Sequence, residues 1–114
     1  MGLFDFLFGA KTQEIGHIKI LNVDEFKSSI TQKKVQLVDV RTSKEYRSGH
    51  ISNALNIDFF QQSSFKASAE KLDKKAPIYL YCRSGNRSQK AAKILSKMGF
   101  EEIYDLKGGY MAWY

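Results

Sequence analysis

Cysteine, proline and tryptophan each occur once in this chain, as Cys82, Pro77 and Trp113, and histidine only twice, as His17 and His50. A lone cysteine excludes an internal disulfide and any multi-thiolate metal centre. The two histidines are far apart in sequence, so no zinc or iron motif is readable, and neither a metal nor another cofactor is expected. A free thiol fits a reducing compartment, from which a cytoplasmic location is expected. No apolar run is long enough to span a bilayer. The aromatic head Met1–Ala10 lacks a basic region, carries Asp5, and has Phe6 where a myristoylation signal needs Ser or Thr. Residues 1–16 therefore read as an apolar N-terminal extension ahead of a domain over residues 17–114. Such a head can pack on the domain or fray; contact with a membrane surface or a partner through residues 1–10 is the weaker reading. Charge is not concentrated either. The net +6 is spread over scattered lysines, with Lys33-Lys34 and Lys71 to Lys75 reading as solvated helix ends. No stacking-plus-basic motif points to nucleic acid. A mild positive field still favours the approach of an anionic small molecule or an acidic partner.

What the chain does contain is a regular alternation of strand and helix signals over 114 residues, enough for one domain with its own core. His17 to Leu21 alternates as a short strand. Asn22-Val23-Asp24-Glu25 has capping-box spacing, with Asn22 as N-cap and Glu25 at N3, which predicts a helix reaching about Lys33. Val35 to Val40 is a β-branched strand. Thr42-Ser43-Lys44-Glu45 repeats the capping signature for a short helix that ends near Ser48-Gly49. Ala54 to Ile57 suits another strand, and the Gln61-to-Leu72 stretch a further helix. Pro77 opens a strand that runs through Ile78 to Tyr81, where its missing N–H is tolerated. Ala91, Ala92, Ile94, Leu95 and Met98 form one apolar helical face, stopped by Gly99. Ile103 to Leu106 is a last strand, followed by Gly108-Gly109 and a final turn that holds Met111 and Trp113. Alternation of this kind predicts an α/β fold, with about five parallel strands covered by helices on both faces.

The lone thiol falls between the strand ending at Tyr81 and the helix expected over Ser88 to Met98, with Ser88 as its simplest N-cap. Ligands in parallel sheets bind outside the carboxyl ends of the strands. Backbone N–H groups and the positive end of the helix dipole converge there. A thiol at that point is expected to react as its thiolate. The run Cys82-Arg83-Ser84-Gly85-Asn86-Arg87-Ser88 is polar and cationic, which separates it from a buried structural cysteine.

With those residues in place, the chain resembles the rhodanese-like sulfurtransferase domain. Three segments carry the resemblance: Leu37 to Tyr46, continuing to Gly49-His50-Ile51 and Ala54 to Ile57; the loop Cys82 to Ser88; and Leu106 to Trp113. It extends from about His17 to the C-terminus, in the right order and spacing. The resemblance implies thiosulfate sulfurtransferase activity. Cys82 takes the outer sulfur of a small anionic donor as a persulfide, and cyanide, a thiol or a protein acceptor then removes it. The amides of residues 83 to 87 are expected to cradle the anionic sulfur. Arg83, Ser84, Gly85, Asn86 and Arg87 are the expected substrate-binding residues, with Asp39, Arg41 and Ser88 supporting the loop. Having no second cysteine, the molecule cannot resolve the persulfide internally, so transfer is between molecules.

Individual roles follow from residue chemistry. Gly85 suits a positive φ or a close backbone approach. Arg83 is expected to point outward and attract a dianionic donor. Arg87 can face the bound anion or turn inward to Asp39; the inward pair is favoured, because a buried Asp39 needs a partner. Glu45 and His50 are expected to brace the turns, and Tyr110 and Trp113 to close the core. Two rival functions stand beside this one. A cysteine phosphatase or arsenate reductase also sets a thiolate loop before a helix, but with its arginine one residue further from the cysteine than Arg87 stands from Cys82. A non-catalytic binding module would share the fold without needing Cys82, whereas a sulfur carrier for a protein partner would keep it.

Overall fold

The β-branched and aromatic runs form a six-stranded sheet with the order β1-β2-β6-β5-β3-β4. Its strands are β1 (Gln13–Ile15), β2 (Ile18–Leu21), β3 (Gln36–Asp39), β4 (Leu55–Asn56), β5 (Ile78–Tyr81) and β6 (Ile103–Leu106). Five strands, β2 to β6, are mutually parallel, and β1 pairs antiparallel with β2 at the edge. The computed structural model describes residues 13–15, 17–32 and 34–114. The readings of the aromatic head Met1–Ala10 lie outside the described residues. Strand β1 lies within the stretch that the sequence presented as an extension, so the sheet begins earlier than residue 17.

Among the described residues, five helices complete the alternation: α1 (Val23–Gln32), α2 (Ser43–Arg47), α3 (Gln62–Glu70), α4 (Asn86–Lys97) and α5 (Gly109–Trp113). Both capping boxes form. Glu25 N donates to Asn22 Oδ1 at 2.8 Å, and Asn22 N donates to Glu25 Oε1 at 3.0 Å. Thr42 and Glu45 repeat the exchange at the head of α2. Each box satisfies amides that the first helical turn would otherwise leave without acceptors.

Side-chain alternation divides the interior in two. Val38, Leu80, Ile103 and Cys82 join Phe65 and Ala69 of α3 and Ala91, Ala92 and Leu95 of α4 on one face. Leu37, Tyr79, Tyr81 and Leu106 pack with Phe26 of α1 and with Ile51, Tyr110 and Trp113 on the other. Helices thus cover both faces, and β5, between β6 and β3, is buried along its whole length. That central strand delivers Cys82 to the carboxyl edge of the sheet, where a doubly covered parallel sheet leaves its crevice. Among the described residues, no helix is long and apolar enough to cross a membrane.

Candidate active site

Cys82 follows the last residue of β5 and is buried, with 1% of its surface exposed. The chain then turns through Arg83 and Ser84, both exposed, into Gly85, whose φ of 108° is a left-handed conformation that glycine adopts without strain. Gly85 N donates to Cys82 Sγ at 3.0 Å. Helix α4 starts at Asn86, with Gly85 in the capping position, so Ser88 is not the N-cap. Ser88 lies within the first turn, fully buried, and its Oγ donates back to Gly85 O at 3.3 Å. The sulfur thus sits at the head of a helix of 12 residues, where the dipole and the first-turn amides favour negative charge.

The loop is fixed from behind by the chain's closing segment. Tyr110 N donates to Cys82 O at 2.8 Å, and Met111 N donates to Arg83 O at 3.0 Å. The Gly108-Gly109 turn makes this approach possible, because a Cβ on Gly109 would lie 2.5 Å from Arg83 O.

Arg87 does not pair with Asp39. It makes a two-pronged ion pair with Glu45, Nη1 to Oε1 at 2.8 Å and Nη2 to Oε2 at 2.9 Å, and its guanidinium lies 5.1 Å from the centre of the Phe60 ring. Hydrogen bonds from Arg87 hold the Glu45 carboxyl down at about 2, against some opposition from burial. Arg87 is raised in turn, first by those bonds and also by attraction to Cys82. Asp39 has instead taken Arg41 from two residues along the chain. Arg41 Nε and Nη2 both donate to its carboxylate, the shorter contact being 2.7 Å, and Nη2 also donates to Gly49 O. The Arg41 guanidinium stacks 4.5 Å over Tyr110, and Asn56 Nδ2 donates to the carbonyls of both Asp39 and Arg41. His50 lies stacked on Tyr46 at 3.6 Å, with its Nδ1 on Tyr46 O, a bracing position as its Gly-His turn implied.

The expected residues therefore sort into two groups. Cys82, Arg83, Ser84 and Gly85 form a turn that leads into Asn86, Arg87 and Ser88 of α4; Asp39 and Arg41 form a separate buried pair. A cleft of about 320 Å³ opens beside the turn, lined by Arg41, Glu45, Ser48, Arg83 and Tyr110 among others. A larger hollow of about 780 Å³, lined by Ile30, Leu37, Ile51 and Trp113 among others, includes no residue of the loop. Glu45 as the partner of Arg87 and Asp105 behind Ser88 are the residues that sequence reasoning did not place. For Glu45 no local signal exists, since its partner is 42 residues away. For Asp105 the signal is one acidic residue inside an otherwise apolar and aromatic strand.

A buried thiol stands at the carboxyl end of the central parallel strand, with a loop amide on its sulfur at the head of a helix. The chain belongs to the rhodanese-like domain family, whose model matches residues 22–114. It is 34% identical over 96 residues to thiosulfate sulfurtransferase GlpE of Shewanella oneidensis, covering 84% of this chain and 92% of that protein. It is 41% identical over 96 residues to a protein of Bacillus subtilis named only as uncharacterized protein YqhL, covering 84% of this chain and 72% of that one. Among solved structures, a rhodanese-like domain protein from Staphylococcus aureus superposes with a TM-score of 0.74 at 31% identity, over 83% of this chain and 90% of that one. The human single-domain sulfurtransferase TSTD1 superposes with a TM-score of 0.70 at 27% identity, over 82% and 93% of the two chains. The family is thus a sulfurtransferase family.

Proposed function

We propose that this protein moves a sulfane sulfur from a donor such as thiosulfate to a thiophilic acceptor through a persulfide on Cys82. The observation that carries this reading is the buried Cys82 sulfur with the Gly85 amide 3.0 Å away at the head of α4. The thiolate attacks the outer sulfur of thiosulfate. A Cys82 S–S bond forms, the S–S bond of thiosulfate breaks, and sulfite leaves with the electron pair. Cyanide, a small thiol or a protein thiol then attacks the terminal sulfur, and the leaving electron pair regenerates the Cys82 thiolate. Both states are anionic at sulfur, so a preorganised amide and a helix head stabilise each without reorganisation. Arg83, exposed beside the cleft, draws the dianionic donor in, while Arg87, held by Glu45, keeps a fixed positive charge near the sulfur. Burial of Cys82 keeps bulk water away from the persulfide between donor and acceptor.

The test is the intact mass of the reduced protein before and after thiosulfate. One added sulfur atom, removed by cyanide and absent in Cys82→Ser, is expected. An unchanged mass with a reactive thiol would overturn the persulfide reading. Fast release to a candidate acceptor protein, with slow release to cyanide, would assign the carrier role within the same chemistry.

A further inference from the structure

Asp105 is a fully buried carboxyl in β6, in register with Leu80 of β5 on one side and Ile20 of β2 on the other. Neither of its oxygens has a hydrogen-bond partner of good geometry among the described residues. Such a group is costly to bury and invites the question of what it does. The polar groups that face it are the Ser88 hydroxyl and the Leu106 amide. Ser88 Oγ, however, is turned to Gly85 O at the long distance of 3.3 Å, where Gln89 N also donates at 3.2 Å. Gly85 is the residue whose amide holds Cys82 Sγ.

The ionisable side chains of the surrounding elements are engaged elsewhere. Lys19 and Tyr104 alternate onto the other side of the sheet, Lys90 and Lys93 are exposed on α4, and Lys27 of α1 lies over Trp113. Arg87 is held by Glu45. The ionisable group on the Asp105 side of β5 is Cys82, two residues beyond Leu80 and roughly 8 Å away from the spacing and rise of parallel strands.

We propose that Asp105 is a pH-sensitive positioning residue for the Cys82 loop, acting through Ser88 on Gly85. While Asp105 is protonated, the Ser88 hydroxyl remains on Gly85 O and the loop keeps its turn. When the proton leaves to solvent, the carboxylate becomes the stronger acceptor and draws the Ser88 hydroxyl to itself, since hydrogen bonds to charged groups are the stronger ones. Gly85 O then retains Gln89 N alone, and the amide on the sulfur is held less firmly. The looser loop lowers the reactivity of Cys82. Burial sets where this happens, pushing the Asp105 carboxyl up to about 7, with Ser88 and the Leu106 amide offsetting only part of that. As an account of catalysis this rests on the sulfur-transfer reading; as an account of thiol reactivity it stands by itself.

The test follows alkylation of Cys82 by iodoacetamide between about pH 5.5 and about pH 9 in the wild type and in the isosteric Asp105→Asn. The expected ratio of variant to wild-type rate is near unity at the acid end and rises to about fivefold at the alkaline end. A flat ratio overturns the proposal. In a Ser88→Ala background the same replacement is expected to change the rate by less than about twofold; an undiminished effect overturns the relay through Ser88. A measurement independent of both variants is the Gly85 amide resonance in Cys82→Ser, where no thiol titrates. It is expected to move with a midpoint of about 7, and a resonance that does not titrate overturns the proposal. Sulfur loading from thiosulfate is read on the same samples. A rising alkylation ratio without loading removes the sulfur-transfer reading and keeps this one, while loading with a flat ratio does the reverse.

Discussion

Gly109 lies directly against the back of the Cys82 loop: a Cβ there would come within 2.5 Å of the Arg83 carbonyl and 2.6 Å of Cys82 O. Its φ of 65° adds a conformation that side chains other than glycine rarely adopt. The closing segment and the Cys82 loop are therefore one unit, joined by the amides of Tyr110 and Met111.

Gly109→Ala is expected to displace the loop, because the atoms it meets are backbone and cannot swing away. We expect a loss of about 3 kcal/mol in stability and at least a tenfold, order-of-magnitude loss in sulfur transfer. Gly99→Ala is the control. It also has a positive φ, 106°, but its Cβ would meet only Lys74 Cδ at 3.8 Å. It should cost about 1 kcal/mol with transfer unchanged. Denaturant melts and sulfur-transfer rates on both proteins decide the matter; equal activity losses would show that proximity to the loop is irrelevant.

Glu45 couples α2 to the head of α4 through Arg87, and its carboxyl is depressed from 4.5 to about 2. A depressed carboxyl stabilises the fold fully above its unfolded value and loses that contribution as pH falls. The pair should thus hold above about pH 4.5 and fail progressively toward about pH 2. Glu45→Gln should cost about 1–2 kcal/mol at neutral pH, since both side chains are partly exposed and screened, and should flatten this acid limb. Urea midpoints across the acid range measure it; an acid limb unchanged in the variant would assign the loss to other carboxylates.

Arg83 is exposed, and its backbone, not its side chain, is what the closing segment holds. Arg83→Ala should leave the melting temperature alone and raise KM for thiosulfate about three- to tenfold, with kcat within about twofold. The wild-type kcat/KM should also fall more steeply with salt than that of the variant. A lowered melting temperature with unchanged KM would make Arg83 a structural residue.

Local signals in the sequence were legible to within a residue or two. Asn22 with Glu25 and Thr42 with Glu45 specify helix starts by spacing alone, and both boxes form as read. The position of Cys82 at the end of a central strand follows from alternation and from the apolar run before it. Pairings that depend on the third dimension were not legible. Asp39 needed a partner, but Arg41, two residues on, reaches it by curling back at the strand end, which leaves Arg87 for Glu45. The start of α4 was misread because Ser88 is a good cap, whereas the chain uses the left-handed freedom of Gly85 three residues earlier. β1 escaped notice because three residues at a sheet edge are too short to show a period. Asp105 is not singled out by the sequence reading, since its burial depends on β6 lying inside the sheet between β2 and β5.

That placement of Asp105 has a consequence for stability as well as for the loop. Its carboxyl is raised from 3.8 to about 7 by burial. The folded state holds a proton that the unfolded chain releases, so this contribution is complete below about pH 3.8 and is lost as pH rises through about 7. A shift of roughly 3 units corresponds to about 4 kcal/mol of such loss. This runs opposite to Glu45, whose contribution is gained as pH rises from about 2 to 4.5. The sum of these two contributions should therefore peak between about pH 4 and about pH 5 and fall toward neutrality. Asp105→Asn removes the titrating proton while keeping the shape, so its stability should stay level over the range in which the wild type declines. Urea midpoints measured from about pH 4 to about pH 8 on the two proteins give the slope directly. Parallel slopes would mean that Asp105 is already ionised in the fold, and that its burial is relieved in some way other than by keeping its proton.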